Sequence, residues 1–259
     1  MSTAAVLVTH NSAQWIAETL ASVLAQQTAL DRVVIVDDHS TDTTLAVIRE
    51  HAAGRPVEVI ASSAHATDPH TRIASNFVQG VLHAEADLVV LGDHDDVWHP
   101  SRVGHQLGLL LQHPQAAMLA SDGRIVEQDG PTGRTIRDAF PVPAQFGDWR
   151  SSQQFAYAVR HSVATGGASA LRPKALPQLQ VPKGWLHDRW WSLAAAAHGR
   201  LIVDDTVVID YRIFDGQQVG LATQHQDASA FGWVAHHGRQ ALRSVRRAID
   251  LAPLFIASR

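Results

Sequence analysis

The 259-residue chain carries a formal net charge of −4 and contains no cysteine. The negative charge argues against a nucleic-acid binder, whose surface is basic, and the lack of cysteine excludes disulfides, thiolate metal sites and cysteine nucleophiles. Hydrophobic residues make up 46% of the chain and charged residues 18%, which is typical of a globular protein with a large core. The N-terminal residues do not resemble a signal peptide, and no apolar window approaches about 18 residues. We therefore expect a cytoplasmic protein.

The first hundred residues alternate between short apolar runs and helical periodicity. The apolar runs predict buried strands over residues 4–9, 32–36 and 88–91, and a further strand is predicted over 57–61. Continuous apolar strands that alternate with helices are typical of parallel sheets buried on both faces. The sequence therefore predicts an α/β fold with a mostly parallel central sheet and helices on both faces.

The second half of the chain has a less regular pattern. It predicts a helix over residues 102–112, a long loop over 122–147 that is rich in Gly, Pro and Asp, and a helix over 185–199. One or two strands are expected over 201–211. From about Gln224 onward the pattern predicts a basic, helical tail.

Two acidic turns follow buried strands, at Asp37-Asp38 and at Asp93-His94-Asp95-Asp96. Ligands of parallel sheets bind at the carboxyl ends of the strands, where both turns are expected. The three carboxylates of the second turn repel one another unless a cation or solvent intervenes, and oxygen ligands suit Mg²⁺ or Mn²⁺. The alternative for this turn is a solvated acidic cap of the following helix.

The first acidic turn also has two interpretations. A carboxylate of Asp37 or Asp38 could accept a hydrogen bond from a nucleobase N–H or from ribose hydroxyls. Alternatively, the turn is an ordinary helix cap made by Ser40 or Asp42. Two acidic turns separated by one βαβ unit favour the ligand-binding interpretation.

Four features of the second half have both a structural and a functional interpretation. Gly166-Gly167 could let the backbone approach a ligand or simply form a turn. Asp188 could act on a substrate, or it could be a helix N-cap or a first-turn acid that the helix dipole stabilises. Arg212 could bind phosphate or form an ion pair. Trp185 could lie in the core or form a platform for an acceptor.

Ordered motifs across roughly residues 4–220 resemble family-2 inverting glycosyltransferases, which have the GT-A (nucleotide-diphospho-sugar transferase) fold. The motifs are VTHN, SVLAQQT, VVIVDDHSTDTT, RIASNF, LGDHDDVW, GGASALRP, LHDRWW and YRIFDGQQVG. The LGDHDDVW form is most similar to bacterial enzymes that build surface polysaccharides, including rhamnosyltransferase-like members. The resemblance implies a GT-A domain over 1–223, with a nucleotide-binding part (1–100) and an acceptor-side part (101–223), and a basic C-terminal extension over 224–259.

The resemblance also implies roles for individual residues. Asp188 would be the catalytic base, and Asp95 would ligate a divalent cation, Mn²⁺ or Mg²⁺, with help from Asp96. The donor would be a UDP- or dTDP-sugar, and the residues implied to bind it are Thr9, Asp37, Asp38, Arg72 and Asp93. Contacts with the acceptor or the diphosphate are expected from Gly167, Trp185, His187 and Arg212. The transferred sugar would be of hexosyl or rhamnosyl type, and the acceptor a saccharide or lipid-linked saccharide.

One position departs from the family pattern. Relatives often carry a histidine two residues after the Tyr-Arg pair, and here that position is Phe214. This departure leaves the metal ligands open, and Asp215 is a substitute candidate. Two other functions remain as alternatives, namely a metal-dependent phosphohydrolase and a non-catalytic nucleotide-sugar-binding domain.

The tail carries Arg239, Arg243, Arg246 and Arg247 among apolar residues. A basic amphipathic helix can lie on an anionic membrane surface, which would suit a lipid-linked acceptor and a peripheral location at the inner face of the membrane. The alternative is a helix that packs on the domain with a solvated basic face.

Overall fold

The computed structural model describes residues 1–214 and 249–256. Within these residues nine strands occur in chain order: β1 Thr3–Thr9, β2 Arg32–Asp37, β3 Val57–Ala61, β4 Leu88–Asp93, β5 Val97–Trp98, β6 Met118–Glu127, β7 Gly130–Thr135, β8 Ser169–Leu171 and β9 Leu201–Arg212. The α-helices between them are α1 Ile16–Leu24, α2 Thr44–Ala52, α3 Pro69–Ala84, α4 Arg102–Gln112, α5 Ile136–Ala139, α6 Ser151–Arg160 and α7 His187–Ala197. Short 3₁₀ turns occupy Ala144–Asp148, Gly166–Ala168 and Pro173–Ala175.

The nine strands form one sheet with the order β3-β2-β1-β4-β8-β6-β9-β5, and β7 pairs with β6. Strands β1 to β4 are parallel to one another. Their register pairs Thr9 with Asp37 and Val8 with Asp93. The two acidic turns therefore begin on either side of the end of β1, which is the arrangement expected at the carboxyl edge of a parallel sheet.

Helices cover both faces of the sheet, as predicted. On one face, α3, α6 and α7 pack through apolar side chains that include Phe77, Phe155 and Trp191. On the other face, α1, α2 and α4 contribute Ile16, Ile48 and Val103, among others. Each face therefore has its own hydrophobic core, and burial of these two cores stabilises the fold.

The second half differs from the predicted pattern in two respects. The sheet is mixed there, because β8 runs antiparallel to both β4 and β6 while β6 and β9 are parallel. The prediction of a long loop over 122–147 is wrong, since β6 continues to Glu127 and returns as β7, and α5 follows. Gly130 adopts a φ of 108° at this hairpin, a conformation that favours glycine. This glycine, which is typical of loops, here allows the chain to reverse between β6 and β7.

The predicted extension over 224–259 lies outside the described residues except for 249–256, which are helical. Leu254 of this segment is buried in the core on the α7 side, and Trp185 Nε1 donates a hydrogen bond of 2.9 Å to Asp250 Oδ2. Within the described ranges, none of the helices combines the length and the apolar character needed to cross a membrane.

Candidate active site

A cavity of about 910 Å³ opens at the carboxyl ends of β1 and β4. The predicted site residues that line it are Thr9, Asp38, Asp93, Asp95, His187 and Asp188. The predicted residues outside the lining are Asp37, Arg72, Asp96, Gly167, Trp185 and Arg212. The fold thus brings both acidic turns and the His187-Asp188 pair, which are distant in sequence, around one space.

Asp38 is fixed in the cavity wall by an ion pair. Arg72 Nε lies 2.9 Å from Asp38 Oδ2, and the Asp38 side chain is almost completely buried. Asp38 Oδ1 accepts no hydrogen bond from the described residues. A buried carboxylate oxygen without a donor is a group that a ligand N–H or O–H can satisfy.

The side chains of Thr9 and Asp37 make hydrogen bonds within the protein. Thr9 Oγ1 lies 2.7 Å from Ser12 Oγ, which holds the turn after β1. Asp37 Oδ2 accepts the backbone N–H of Ser40 at 3.1 Å. Asp37 therefore shapes the first acidic turn, while Asp38 faces the cavity. The N-cap of α2 is Thr43, which makes no side-chain capping bond, so the prediction of a helix N-cap at Ser40 or Asp42 is wrong.

The second acidic turn is electrostatically crowded. Burial, together with the charges of Asp95 and Asp188, raises the pKa of Asp93 to about 7. Burial and the charges of Asp95 and Asp93 likewise raise the pKa of Asp96 well above its usual value. Because each carboxylate penalises ionisation of the next, positive charge placed among them relieves repulsion.

Part of that positive charge comes from Arg102, which the sequence analysis did not identify. The completely buried guanidinium stacks 3.8 Å from the ring centroid of Trp98 and donates to the backbone oxygen of Leu91 at 2.6 Å. Burial lowers the pKa of Arg102 to about 9, while the charges of Asp96 and Asp93 act in the opposite direction. Arg102 occupies the buried stripe of α4 together with Val103 and Gln106, and a charged residue in such a stripe is the sequence signal that could have revealed it.

Gly167 lets the backbone pass directly against the acidic turn. A Cβ built at this position would lie 2.5 Å from Asp96 Oδ2 and 2.8 Å from Asp93 Oδ2. Side chains cannot approach so closely without displacing a neighbour. Gly167 therefore makes room for the acidic turn, and the approach of Gly166-Gly167 to a donor or acceptor stays a prediction.

Asp95 and Asp96 are the residues expected to ligate the divalent cation. Among residues 1–214 and 249–256, no three His, Cys, Asp or Glu side chains are grouped so that they could hold a metal ion. Asp95 lines the cavity, whereas Asp96 Oδ1 accepts the backbone N–H of Arg212 at 3.2 Å and Asp96 Oδ2 has no hydrogen-bond partner in the part of the chain that the structure describes. Mg²⁺ is commonly held by one or two carboxylates plus substrate phosphates. These donors fit a divalent ion that a bound diphosphate helps to hold.

Asp188 is anchored at the start of α7. It is the second residue of the helix, whose N-cap is Leu186, so Asp188 is a first-turn acid and not the N-cap. Its Oδ2 accepts the backbone N–H of Gly166 at 3.0 Å, and its Oδ1 accepts that of Arg189 at 2.6 Å. These two bonds fix the carboxylate at the cavity wall, and each oxygen keeps a lone pair for a further donor.

His187 precedes Asp188 and is 4% exposed. Its ring stacks on Phe77 with a centroid distance of 3.8 Å and contacts Trp191 edge-on at 5.2 Å. Burial lowers the pKa of His187 to about 4, so the ring is neutral at physiological pH.

The end of β9 braces the second acidic turn. Arg212 donates through Nη1 to the backbone oxygen of Asp95 at 3.0 Å, pairs with Glu18 and lies over the ring of Trp15. Phe214 packs 5.3 Å from Trp15 and lines the cavity. The ion-pair interpretation of Arg212 is therefore confirmed.

Trp185 does not reach the cavity. It is buried, contacts Trp190 edge-on at 5.4 Å and donates to Asp250. The core interpretation of Trp185 is the one that the structure supports.

Comparison with curated proteins links the chain to bacterial relatives. It is 25% identical to the putative glycosyltransferase EpsE of Bacillus subtilis over 136 residues, which cover 52% of this chain and 47% of EpsE. It is 29% identical over 127 residues to the uncharacterized protein Rv1520 of Mycobacterium tuberculosis, covering 48% of this chain and 36% of that protein. The chain thus spans half or less of the length of these relatives.

Solved glycosyltransferase structures share the fold. The Staphylococcus aureus TarS 1–349 complex with UDP-GlcNAc matches with a TM-score of 0.60 at 18% identity, covering 84% of this chain and 60% of TarS 1–349. The Pyrobaculum calidifontis mannosyltransferase PcManGT, in complex with GDP-Man and Mn²⁺, matches with a TM-score of 0.61 at 19% identity over 83% of this chain and 58% of that one. The family model "Glycosyl transferase family 2" matches residues 4–179. The chain has the GT-A fold and belongs to glycosyl transferase family 2.

Proposed function

We propose that this protein transfers a sugar from a UDP- or dTDP-sugar to an acceptor hydroxyl and inverts the anomeric centre. The observation that carries the proposal is the single cavity onto which Asp38, Asp95 and Asp188 all open. The transfer requires one carboxylate for the nucleoside, one beside the diphosphate and one for the reacting hydroxyl, and all three must line the same cavity. The transferred sugar is of hexosyl or rhamnosyl type, and the product belongs to polysaccharide or glycolipid biosynthesis.

The donor is held along the carboxyl edge of the sheet. Asp38 Oδ1 accepts a hydrogen bond from the nucleoside, and the pairing with Arg72 keeps this carboxylate in place. Thr9 lies beside the base, Asp37 holds the turn, and Asp93 approaches the ribose. The support for these roles is that Thr9, Asp38 and Asp93 share the cavity wall.

The diphosphate lies toward Asp95, with Asp96 behind it. A divalent cation, Mn²⁺ or Mg²⁺, would neutralise the charge that develops on the leaving diphosphate. Glucosyl-3-phosphoglycerate synthase from Mycobacterium tuberculosis, solved in complex with Mn²⁺ and UDP, has the same fold, with a TM-score of 0.57 at 15% identity over 82% of this chain and 72% of the synthase. Arg212 and Gly167 position the acidic turn from behind, and Trp185 supports the start of α7.

Asp188 is the general base. A carboxylate within reach of the acceptor hydroxyl takes its proton as the new C–O bond forms. Attack from the face opposite the leaving diphosphate inverts the anomeric centre and needs no covalent enzyme intermediate. The hydrogen bonds from Gly166 and Arg189 support this role, because they fix the carboxylate without consuming all of its lone pairs.

The donor proposal is tested by thermal denaturation with UDP, dTDP, GDP and their sugars, with and without Mn²⁺. We expect one nucleoside diphosphate to raise the melting temperature in the presence of Mn²⁺, because a ligand at 100 times its Kd adds about 2.7 kcal/mol. The matching nucleotide sugar is then incubated with saccharide and lipid-linked saccharide acceptors. No stabilisation by any nucleotide contradicts the proposal, and release of inorganic phosphate without an acceptor indicates a phosphohydrolase instead.

A further inference from the structure

The imidazole of His187 is a buried polar group with unmet hydrogen-bonding capacity. Neither Nδ1 nor Nε2 has a hydrogen-bond partner among the described residues, although the residue is only 4% exposed. Leaving a buried polar group without a hydrogen bond destabilises the folded protein. Phenylalanine would fill a similar volume against Phe77 without that cost, so packing alone does not explain a histidine here. The ring also lines the cavity, where a ligand can supply the missing partner.

The ring is held in one orientation. Phe77 stacks on one face, with an interplanar angle of 23°, and Trp191 contacts the ring edge-on at 71°. A Cβ at Gly166 would lie 2.5 Å from His187 Nε2, so glycine makes room for the imidazole. The same glycine donates its N–H to Asp188 Oδ2. Gly166 therefore fixes the imidazole and the carboxylate relative to one another.

The chemistry of the ring identifies the kind of partner. Burial keeps the imidazole neutral, with its pKa lowered to about 4, and a neutral imidazole offers one N–H donor and one acceptor nitrogen. A diphosphate offers only acceptors and favours a charged partner. A hydroxyl group both donates and accepts, and therefore matches a neutral imidazole.

We propose that His187 is a specificity-determining residue that hydrogen-bonds a sugar hydroxyl beside Asp188. The inference rests on the proposed function, since it requires a sugar to occupy this part of the cavity. It assigns His187 to the sugar and not to the diphosphate. The hydroxyl belongs either to the transferred sugar or to an acceptor saccharide, and the two sources are separated by experiment.

The test compares His187→Phe, His187→Gln and the wild type. Phenylalanine keeps the stack on Phe77 and removes both unpartnered nitrogens, so we expect an equal or higher melting temperature. The Kd for the nucleoside diphosphate should change less than twofold, while kcat/KM for transfer should fall about 10- to 100-fold. Glutamine supplies a donor and an acceptor again and should recover part of the loss. His198→Gln is the matched control, because His198 lies at the other end of α7 and bonds the backbone oxygen of Ala194.

Two measurements distinguish a hydroxyl of the transferred sugar from a hydroxyl of the acceptor. A loss confined to nucleotide-sugar affinity, with nucleoside diphosphate affinity retained, assigns the hydroxyl to the transferred sugar. A rise confined to the acceptor KM assigns it to the acceptor. Nucleotide sugars and acceptors that lack single hydroxyls provide a second test. The wild type should use the analogue that lacks the bonded hydroxyl less well, and His187→Phe should not lower its use further.

Two results overturn the inference in distinguishable ways. If the wild type transfers sugar and His187→Phe does so equally well, His187 is only a core residue and the proposed function stands. If the wild type binds no nucleotide sugar, the proposed function fails and the inference fails with it. If both variants fail to fold, equal use of every deoxy analogue that is tested on the wild type overturns the inference.

Discussion

Gly167 lies so close to Asp96 that a Cβ at its position would be only 2.5 Å from Asp96 Oδ2. Asp96 cannot move away easily, because it is buried and its other oxygen accepts the backbone N–H of Arg212. Asp93 lies on the same side, 2.8 Å from the added carbon. The geometry of the acidic turn therefore depends on the absence of a side chain at Gly167, which is distant from the turn in sequence.

Gly167→Ala should displace the acidic turn. We expect a loss of about 1–3 kcal/mol in the free energy of unfolding, which is typical of overpacking a buried site, and a weaker Mn²⁺-dependent response to nucleoside diphosphate. Gly108→Ala in α4 is the control, since a Cβ there meets nothing within 4 Å, and a helical Gly→Ala change stabilises by about 0.5–1 kcal/mol. Urea denaturation and nucleotide titration of both variants check this. Equal stability of the two variants would contradict it.

Asp95→Ala should abolish divalent-dependent transfer and leave the fold intact. Removing this carboxylate also removes a charge that repels Asp93 and Asp96, so the ligand-free variant should be at least as stable as the wild type near pH 7. The melting temperature and the Mn²⁺ dependence of transfer are measured together. Asp148→Ala, at an exposed position, is the control. Near-normal transfer by Asp95→Ala in the same Mn²⁺ buffer would remove the metal assignment.

The parallel half of the sheet and the position of its two acidic turns could be predicted from the sequence, because the cores of β1, β2 and β4 are continuous apolar runs, whereas β3 is partly exposed and contains Glu58. The β6–β7 hairpin could not, because its Gly, Pro and Asp content is also typical of loops and only pairing with the rest of β6 makes it a strand. Arg102 was not predicted to be part of the site, for a related reason. Its role depends on charges that come close only in three dimensions, and the sequence separates it from Asp93 by a turn, a short strand and a helix start.

His187 should make the stability of the protein sensitive to acid. Its folded pKa of about 4 lies below the unfolded value of 6.5, so as the pH falls from about 6.5 to 4 the unfolded chain binds a proton that the folded protein does not. Stability is therefore lost over that window, by up to about 3 kcal/mol from this group. His187→Phe should lose less stability, and its advantage over the wild type should grow as the pH falls. Parallel stability curves from urea denaturation at pH 4.5–7.5 would contradict this.

The predicted membrane contact of the tail needs a substitution test and not a truncation. Removing everything beyond Gln224 would also remove Leu254, which is buried, and Asp250, which accepts a hydrogen bond from Trp185. We expect the full chain to sediment with anionic liposomes and a variant with Arg239, Arg243, Arg246 and Arg247 changed to Gln to sediment less. High salt should weaken binding of the wild type, since screening reduces Coulomb attraction. Equal sedimentation of both proteins would exclude a basic membrane surface in the tail.

The final prediction concerns the chemical step at Asp188. Asp188→Asn keeps the size of the side chain, but it cannot take a proton, and removing a general base typically lowers the rate by about 10²- to 10⁴-fold. The Kd for the donor should scarcely change, because the base acts on the acceptor, so the effect should appear in kcat. Some stability should also be lost, since both oxygens of Asp188 accept backbone N–H groups and an amide has only one oxygen.

Asp68→Ala separates the two effects. Asp68 caps α3 by accepting the N–H of Thr71 at 2.9 Å and does not line the cavity, so this variant should lose stability and keep its turnover. If Asp188→Asn behaves like Asp68→Ala, then Asp188 is a structural residue and the base lies elsewhere. Asp122 is then a weak candidate, because it is buried and its Oδ1 already accepts the N–H groups of Gly123 and Arg137. Asp215, which lies outside the described residues, would be the next residue to change.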